Sequence, residues 1–212
     1  MSLFAIADLH LSLGEDKPMD IFAVCSNYVE RLEDNWRKLI TDDDTVVIGG
    51  DISWAMKLEE TFVDFSFIDK LPGKKLFLKG NHDYWWGTKS KIDSFLSKNG
   101  FDSISIIFNN SYVCDDYAVC GTRGWFLENG TEQDIKVLNR EVGRLIMSIE
   151  SALKTGKEPV VFLHYPPYYN GIECKEIMDV LLKYNVKKCY YGHIHGRNNF
   201  KYAFEGEYKG VN

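Results

Sequence analysis

One pattern occurs five times along the chain: a short run of apolar residues is followed at once by polar side chains. The runs begin at Leu3, Thr45, Leu76, Val160 and Cys189. A short apolar run that is bounded by glycine or polar residues is typical of a buried strand. In open α/β sheets, ligands bind outside the carboxyl ends of the strands. Five such strand ends therefore predict a single polar site at the edge of a sheet.

The side chains that follow these runs are of the types that bind metal ions. The candidate ligands are Asp8, His10, Asp51, Asn81, His164, His193 and His195. All five histidines of the chain lie at these strand ends, whereas histidines used for packing or solubility would be scattered over helices and loops. Carboxylate, imidazole and amide ligands without thiolate favour Mn, Fe or Zn over Mg or Ca.

The number of candidate ligands bears on the number of ions. Seven ligands are too many for one tetrahedral ion, and they fit two ions that share a bridging carboxylate. Two divalent ions together with Asp8 and Asp51 leave a net charge of about +2, which suits a phosphate ester. Two ions roughly 3.5–4 Å apart stabilise both the attacking and the departing oxygen when a phosphate ester is hydrolysed.

Length and charge limit the remaining possibilities. With 212 residues the chain is long enough for one substantial core, and we expect one domain over residues 1–212. The net charge of -6 argues against a nucleic-acid binder that depends on a basic surface. Five cysteines without a CxxC spacing predict neither a disulfide framework nor a zinc knuckle. The chain starts on a strand and contains no apolar run of membrane-spanning length, so we expect a cytoplasmic protein without a membrane partner.

The predicted secondary structure alternates between strands and helices. Apolar residues at helical spacing predict helices over residues 20–40, 58–70, 88–98, 134–153 and 174–184. Between the third and fourth helices, three β-rich runs over 104–108, 111–114 and 117–121 are separated by Asn and Asp pairs that suit tight turns, which predicts a β-meander. The pattern indicates an α/β fold of two packed sheets flanked by helices.

Five blocks of residues together carry a family resemblance. They are Asp8-x-His10, Gly50-Asp51, Gly80-Asn81-His82-Asp83, His164 and Gly192-His193-x-His195. In this order they resemble the signature blocks of the calcineurin-like metallophosphoesterase superfamily, and they extend over nearly the whole chain. The resemblance implies an α/β fold, a four-layer αββα sandwich of two mixed β-sheets flanked by helices, in a single metallophosphoesterase domain of residues 1–212.

The resemblance also implies which residues bind metal. The ligands of one ion would be Asp8, His10 and His195. The ligands of the second would be Asn81, His164 and His193, and Asp51 would bridge the two ions. The implied cofactors are two divalent transition-metal ions, Mn, Fe or Zn, and Mn is the one expected to work in assays.

His82 and Asp83 are the catalytic residues that the resemblance implies. His82 would contact the scissile phosphate and donate a proton to the leaving oxygen, and Asp83 would orient its imidazole. Asn81 is a candidate for binding substrate as well as metal. Arg123 lies between two glycines, where its guanidinium could bind phosphate through two hydrogen bonds or could belong to a surface turn, and both interpretations stay open.

The chain differs from one branch of the superfamily. Protein serine/threonine phosphatases carry arginines just after the Gly-Asp and Asn-His blocks, and residues 52–54 and 84–86 of this chain contain none. The chain is more similar to the small bacterial phosphohydrolases. Its implied activity is the hydrolysis of a small phosphomonoester or phosphodiester by a metal-activated hydroxide, with no stable nucleic-acid partner. A nucleotide pyrophosphohydrolase is the alternative enzyme, and a catalytically silent scaffold would be expected to have lost ligands, of which none is missing.

Overall fold

The computed structural model describes residues 1–14, 27–126 and 130–212, apart from the side chain of Arg197. The chain divides into two compact units, Met1–Ile106 and Ile107–Asn212. Each unit contains one four-stranded sheet together with helices, which confirms the predicted α/β class with two multi-strand sheets. The prediction that one domain spans residues 1–212 stays a prediction.

The first unit is built on a parallel sheet with the strand order β1-β2-β3-β4. Its strands are β1 (Leu3–Ile6), β2 (Thr45–Ile48), β3 (Lys74–Phe77) and β4 (Ile104–Ile106). Its helices are α1 (Tyr28–Leu39), α2 (Phe62–Asp69) and α3 (Lys89–Asn99), with a 3-10 turn over Leu58–Thr61 before α2. All four residues of β2 are buried, as expected for an apolar strand inside a parallel sheet. Because β1, β2 and β3 are parallel, their carboxyl ends lie at one edge of this sheet.

The second unit contains a mixed sheet with the strand order β10-β7-β6-β5. Its strands are β5 (Ser111–Cys114), β6 (Tyr117–Thr122), β7 (Glu158–Leu163) and β10 (Lys188–Tyr191), and a separate ribbon pairs β8 (Tyr168–Tyr169) with β9 (Ile172–Glu173). Its helices are α4 (Glu132–Leu153), α5 (Lys175–Lys183) and α6 (Arg197–Phe200). The strands β6, β7 and β10 are parallel, so the residues that follow them leave this sheet at one edge.

The predicted β-meander is wrong. Strand β4 pairs in parallel with β3 in the first unit, and only β5 and β6 form an antiparallel hairpin. Asn and Asp pairs between short apolar runs encode tight turns, but they carry no information on which strand each run pairs with.

Three of the predicted helices, over residues 88–98, 134–153 and 174–184, agree with the structure to within two residues at each end. The prediction over residues 58–70 covers the 3-10 turn Leu58–Thr61 together with α2, which begins only at Phe62. The prediction over residues 20–40 is confirmed for Tyr28–Leu39, and residues 20–26 lie outside the described part of the chain. None of the helices among the described residues combines the length and the apolar character that crossing a membrane requires.

Helix α4 covers the core of the second unit. It begins after Thr131, whose hydroxyl accepts a hydrogen bond from the Asp134 N–H at 3.1 Å, in a capping box. Leu138 and Leu145 are 1% and 0% exposed and belong to the same buried cluster as Val161 of β7. Burying a side chain of this size stabilises the fold by about 1.5–3 kcal/mol, so this helix is firmly packed on its sheet.

Candidate functional site

The loops that follow β1 and β2 run side by side in the first unit. The Asp8 N–H donates to the Gly50 carbonyl at 3.0 Å, and the His10 N–H donates to the Asp51 carbonyl at 2.9 Å. These hydrogen bonds continue the pairing of the two parallel strands beyond the sheet. They bring three of the predicted metal ligands together.

The donor atoms of these three ligands converge. His10 Nε2 lies 4.0 Å from Asp8 Oδ1 and 3.7 Å from Asp51 Oδ2. The side chains of Asp8 and Asp51 are 14% and 0% exposed, so water screens the two carboxylates poorly. Two carboxylates in such a place repel each other unless a cation is bound between them. This set of oxygen and nitrogen donors fits a divalent transition-metal ion.

Four of the predicted ligands have an unusual backbone conformation. The φ angles of Asp8, His10, Asp51 and His193 are 58°, 47°, 51° and 71°. A non-glycine residue in this left-handed region costs about 1–2 kcal/mol, and such residues cluster at ligand-binding sites. In this conformation each of the four side chains points in a direction that a backbone with negative φ would not allow.

Gly80 allows the loop after β3 to approach Asp51 closely. A Cβ atom at this position would lie 2.1 Å from Asp51 Oδ1 and 2.2 Å from its backbone nitrogen, so any other residue would displace the carboxylate. Two residues further on, the His82 N–H donates to Asp51 Oδ1 at 2.8 Å. Asn81 lies between them on the same loop. The glycine thus places both predicted residues next to Asp51.

Asp83 ties the loops after β2 and β3 to each other. Its Oδ2 accepts hydrogen bonds from the N–H groups of Gly80 (2.7 Å) and Asp51 (3.0 Å). Its Oδ1 accepts from the Ile52 N–H (2.8 Å) and from Trp85 Nε1 (3.1 Å). The residue is 1% exposed, and burial raises the pKa of its carboxyl to about 6. The N–H donors lower the same pKa, but their effect is smaller than that of burial. None of these hydrogen bonds reaches His82, which Asp83 was predicted to orient.

Two aromatic residues contact the imidazole of His82 instead. Tyr84 Oη lies 3.3 Å from His82 Nδ1. The Trp54 ring lies 4.9 Å from the His82 ring and stacks on His10 with a centroid distance of 4.8 Å. The sequence shows these aromatics beside the site blocks, but it does not show which of them touches His82.

In the second unit, two predicted ligands face each other. His164 follows β7 directly and is fully buried, and His193 lies two residues beyond β10. His193 Nδ1 is 3.3 Å from His164 Nε2. The Gly192 N–H donates to the His164 carbonyl at 3.2 Å, which holds the two loops together. His195, the last predicted ligand, lies in the exposed part of the same loop.

Arg123 is attached to the His164 loop through its backbone. Its carbonyl accepts hydrogen bonds from the N–H groups of His164 (3.1 Å) and Tyr165 (2.8 Å). A Cβ atom at Gly121, two residues earlier, would lie 1.9 Å from the Phe162 carbonyl oxygen, so glycine is required for this close approach. The Arg123 side chain is 17% exposed, so most of its surface is covered by the protein.

Glu141 is a residue of this region that the sequence analysis missed. It lies on α4 and is 1% exposed. Its Oε2 accepts from Thr122 Oγ1 at 2.5 Å, and its Oε1 lies 2.6 Å from Arg144 Nη1. A signal for it exists in the sequence, because an acidic residue at this position shares the helix face of the apolar residues Leu138 and Leu145.

Comparisons with known proteins add to this geometry. A family model described as calcineurin-like phosphoesterase matches residues 1–197. The chain is similar to the solved structure of a phosphopantetheinyl hydrolase from Mycobacterium tuberculosis, with 15% identity, coverage of 99% of this chain and 86% of that chain, and a TM-score of 0.54. It is also similar to TT1561 of Thermus thermophilus, with 12% identity, coverage of 91% and 81%, and a TM-score of 0.59. At these identities the similarity concerns the fold alone. A search of curated proteins finds no match.

Proposed function

This chain belongs to the calcineurin-like phosphoesterase family, and we propose that it hydrolyses a small phosphomonoester or phosphodiester with two divalent metal ions. Membership of the family makes it a metal-dependent phosphoric ester hydrolase. The number of ions, the ligand of each ion and the size of the substrate are the parts that the proposal adds.

The convergence of donors in the first unit carries the proposal. His10 Nε2 lies within 4.0 Å of carboxylate oxygens from both Asp8 and Asp51, in a buried place where two negative charges need a cation. We assign one ion to Asp8, His10 and His195. We assign the other to Asn81, His164 and His193, with Asp51 as the bridge. When bound, two divalent ions supply a nucleophile from water and stabilise the charge on the attacking and departing oxygens.

His82 is the proposed general acid. As the bond between phosphorus and the leaving oxygen breaks, the imidazole donates its proton to that oxygen. The hydrogen bond from the His82 N–H to Asp51 Oδ1 fixes the position of the residue, and the Trp54 ring and the Tyr84 hydroxyl border the imidazole. A positioned acid contributes about 10²–10⁴-fold to the rate.

For Asp83 we propose a different role from the one that the resemblance implies. Its carboxylate accepts hydrogen bonds from the N–H groups of Gly80, Asp51 and Ile52, so it positions the backbone from which Asp51 and His82 project. We propose that it contributes to catalysis through this backbone and not through contact with the imidazole.

Arg123 and Asn81 are the proposed contacts to the phosphate. A guanidinium presents a planar set of N–H donors that matches two oxygens of a phosphate. The attachment of Arg123 to the His164 loop supports this role, because it places the arginine next to a proposed metal ligand.

The test is a hydrolysis assay with metal removed and restored. The protein is treated with a chelator, loaded with Mn, Fe or Zn, and given an aryl phosphate, an alkyl phosphate, a phosphodiester, a nucleoside diphosphate and a phosphopeptide in parallel. We expect turnover of small phosphoesters that depends on added metal. Turnover of the phosphopeptide without turnover of the small esters would contradict the proposed substrate class. Turnover restricted to the nucleoside diphosphate would favour pyrophosphate hydrolysis.

A further inference from the structure

The guanidinium of Arg123 is mostly buried, yet it makes no hydrogen bond to any residue that the structure describes. Its side chain is 17% exposed, and the nearest acidic atom is Glu141 Oε1, 3.6 Å from its Nη2. Its Nε is buried without an acceptor in the described part of the chain. Its Cζ lies over the Trp125 ring, 4.8 Å from the ring centroid. Charged donors in such a place need an acceptor, and an oxyanion matches them in charge and geometry.

Glu141 is the one carboxylate in contact with this guanidinium among the described residues. It is 1% exposed, and a buried charge is costly unless it is paired and hydrogen-bonded. One of its oxygens accepts from the Thr122 hydroxyl, and the other lies between Arg144 and Arg123. Because Thr122 and Arg123 are consecutive, a single carboxylate restrains the side chains of two neighbouring residues in this segment.

From these contacts we infer that Glu141 is a positioning residue, which holds the Arg123 guanidinium as a phosphate clamp beside His164. The inference rests on the proposed function and identifies the residues that bind the phosphate group. The 3.6 Å contact with Glu141 restrains the guanidinium without consuming its N–H donors. The hydrogen bonds from the His164 and Tyr165 N–H groups to the Arg123 carbonyl hold the same residue from the other side.

Glu141 acts on a bound anion in two ways that have opposite signs. Its negative charge repels a phosphate, whereas its contact with Arg123 reduces the conformational freedom that the guanidinium would lose on binding. Glu141→Gln removes the charge and retains the shape of the side chain. Glu141→Asp retains the charge and withdraws the carboxylate from Arg123 and Thr122. The two substitutions therefore separate the two effects.

The experiment measures the Kd of inorganic phosphate for the metal-loaded protein by titration calorimetry. We expect Arg123→Met to raise this Kd about 10- to 100-fold, as the loss of a hydrogen bond to a charged group predicts. Glu141→Asp should raise it about 3- to 10-fold. In the Arg123→Met background, Glu141→Asp should add less than about 2-fold, because a residue that acts through Arg123 has nothing left to position.

A matched control and a second variant are available. Glu150→Asp makes the same change on the same helix, where the carboxylate accepts from Tyr184 Oη at 2.7 Å, and it should leave the phosphate Kd unchanged. If Glu141→Asp is too unstable for calorimetry, Thr122→Val removes the hydroxyl that donates to Glu141 and should raise the Kd in the same direction.

Several results would overturn the inference. The first is that the wild-type protein binds no phosphate, and the second is that Arg123→Met leaves the Kd of phosphate unchanged. The third is that Glu141→Asp raises this Kd equally in the wild-type and Arg123→Met backgrounds. Tighter binding in Glu141→Gln with unchanged binding in Glu141→Asp would assign Glu141 a purely electrostatic effect. Failure of the proposed function looks different, since wild-type protein that binds phosphate but hydrolyses no ester contradicts the activity and leaves the clamp intact.

Discussion

Asp83 in the first unit and Glu141 in the second are both buried carboxylates beside proposed site residues, yet they bind different kinds of group. Asp83 accepts hydrogen bonds from the backbone N–H groups of Gly80, Asp51 and Ile52, and from one side chain, that of Trp85. Glu141 contacts side chains alone among the described residues, namely Thr122, Arg144 and Arg123. The first carboxylate therefore fixes a loop, and the second fixes side chains.

The difference follows from how far each proposed ligand lies from the strand that precedes it. Asp51 lies three residues beyond β2 and Asn81 four residues beyond β3, so their loops have backbone freedom that must be removed. His164 follows β7 directly and takes its position from the strand. What remains to be held near His164 is the long, flexible side chain of Arg123, and a side-chain partner holds it.

The largest expected effect comes from removing the carboxylate on which the first-unit loops converge. Asp51 Oδ1 accepts from the His82 N–H, and Oδ2 lies 3.7 Å from His10 Nε2. We expect Asp51→Ala to lose both metal ions and to lower kcat about 10⁴-fold or more, because the bridge is gone. His164→Ala should lose one ion. Elemental analysis of both variants checks this, with the exposed Asp93→Ala as a control that should keep both ions.

The next effect separates chemistry in the first unit from binding in the second. His82→Ala should keep both ions and lower kcat about 10²–10⁴-fold on an alkyl phosphate, because that leaving group needs a proton. The loss should be smaller on p-nitrophenyl phosphate, whose leaving group scarcely needs one. Arg123→Met should mainly raise KM. Measuring kcat and KM of both variants on both esters tests these assignments. An equal loss of kcat by His82→Ala on the two esters would contradict the proposed role of His82 as general acid.

A smaller effect concerns the free energy of unfolding of the metal-free protein. Asp83→Asn turns an amide NH₂ towards backbone N–H donors and leaves some of them without an acceptor, which should cost about 2–4 kcal/mol. Glu141→Gln keeps a carbonyl oxygen for Thr122 and should cost about 1–2 kcal/mol. Urea denaturation compares the two. A larger loss in Glu141→Gln would break the distinction between a carboxylate that fixes a loop and one that fixes side chains.

The smallest effect tests whether backbone groups also hold a buried cation in the first unit. Lys75 is fully buried, and its Nζ donates to the carbonyls of Asp69 (3.2 Å), Leu71 and Gly73 (2.8 Å). Burial lowers the pKa of Lys75 from 10.5 to about 8. Between these values the unfolded chain binds more protons than the folded protein, so stability rises with pH.

The matched variant for this prediction is Lys75→Met, which has no titrating group. Relative to it, the free energy of unfolding of the native protein should rise by about 1–3 kcal/mol between about pH 7 and pH 10. Denaturation curves at several pH values measure the difference. A difference that stays constant with pH would show that the carbonyl groups hold the ammonium as well as water does.

The sequence predicted the features that depend on local pattern. An apolar run followed by polar residues predicts a strand and its functional end, and the structure has strands before Asp8, Asp51, Asn81, His164 and His193. Helical periodicity gave α4 and α5 to within two residues. Both patterns can be found without knowing which distant residues an element contacts, because burial of one face of the element is enough to produce them.

The pairing of strands and the partners of buried charges were decided by the tertiary structure. Strand β4 pairs with β3 and not with the β5–β6 hairpin, and the turn residues do not predict which strands pair. Asp83 follows His82 directly in the chain, yet its carboxylate binds the backbone of a loop about thirty residues away.

What the sequence determined by itself is therefore the set of candidate ligand residues and the strand that each one follows. What the tertiary structure decided is how these residues are held. It supplied the left-handed φ angles of Asp8, His10 and Asp51, the space that Gly80 leaves for a carboxylate, and the contact of Glu141 with Arg123. The physical reason is that hydrogen bonds of buried charges are chosen by which groups lie near them in space, and nearness in space is a property of the folded chain.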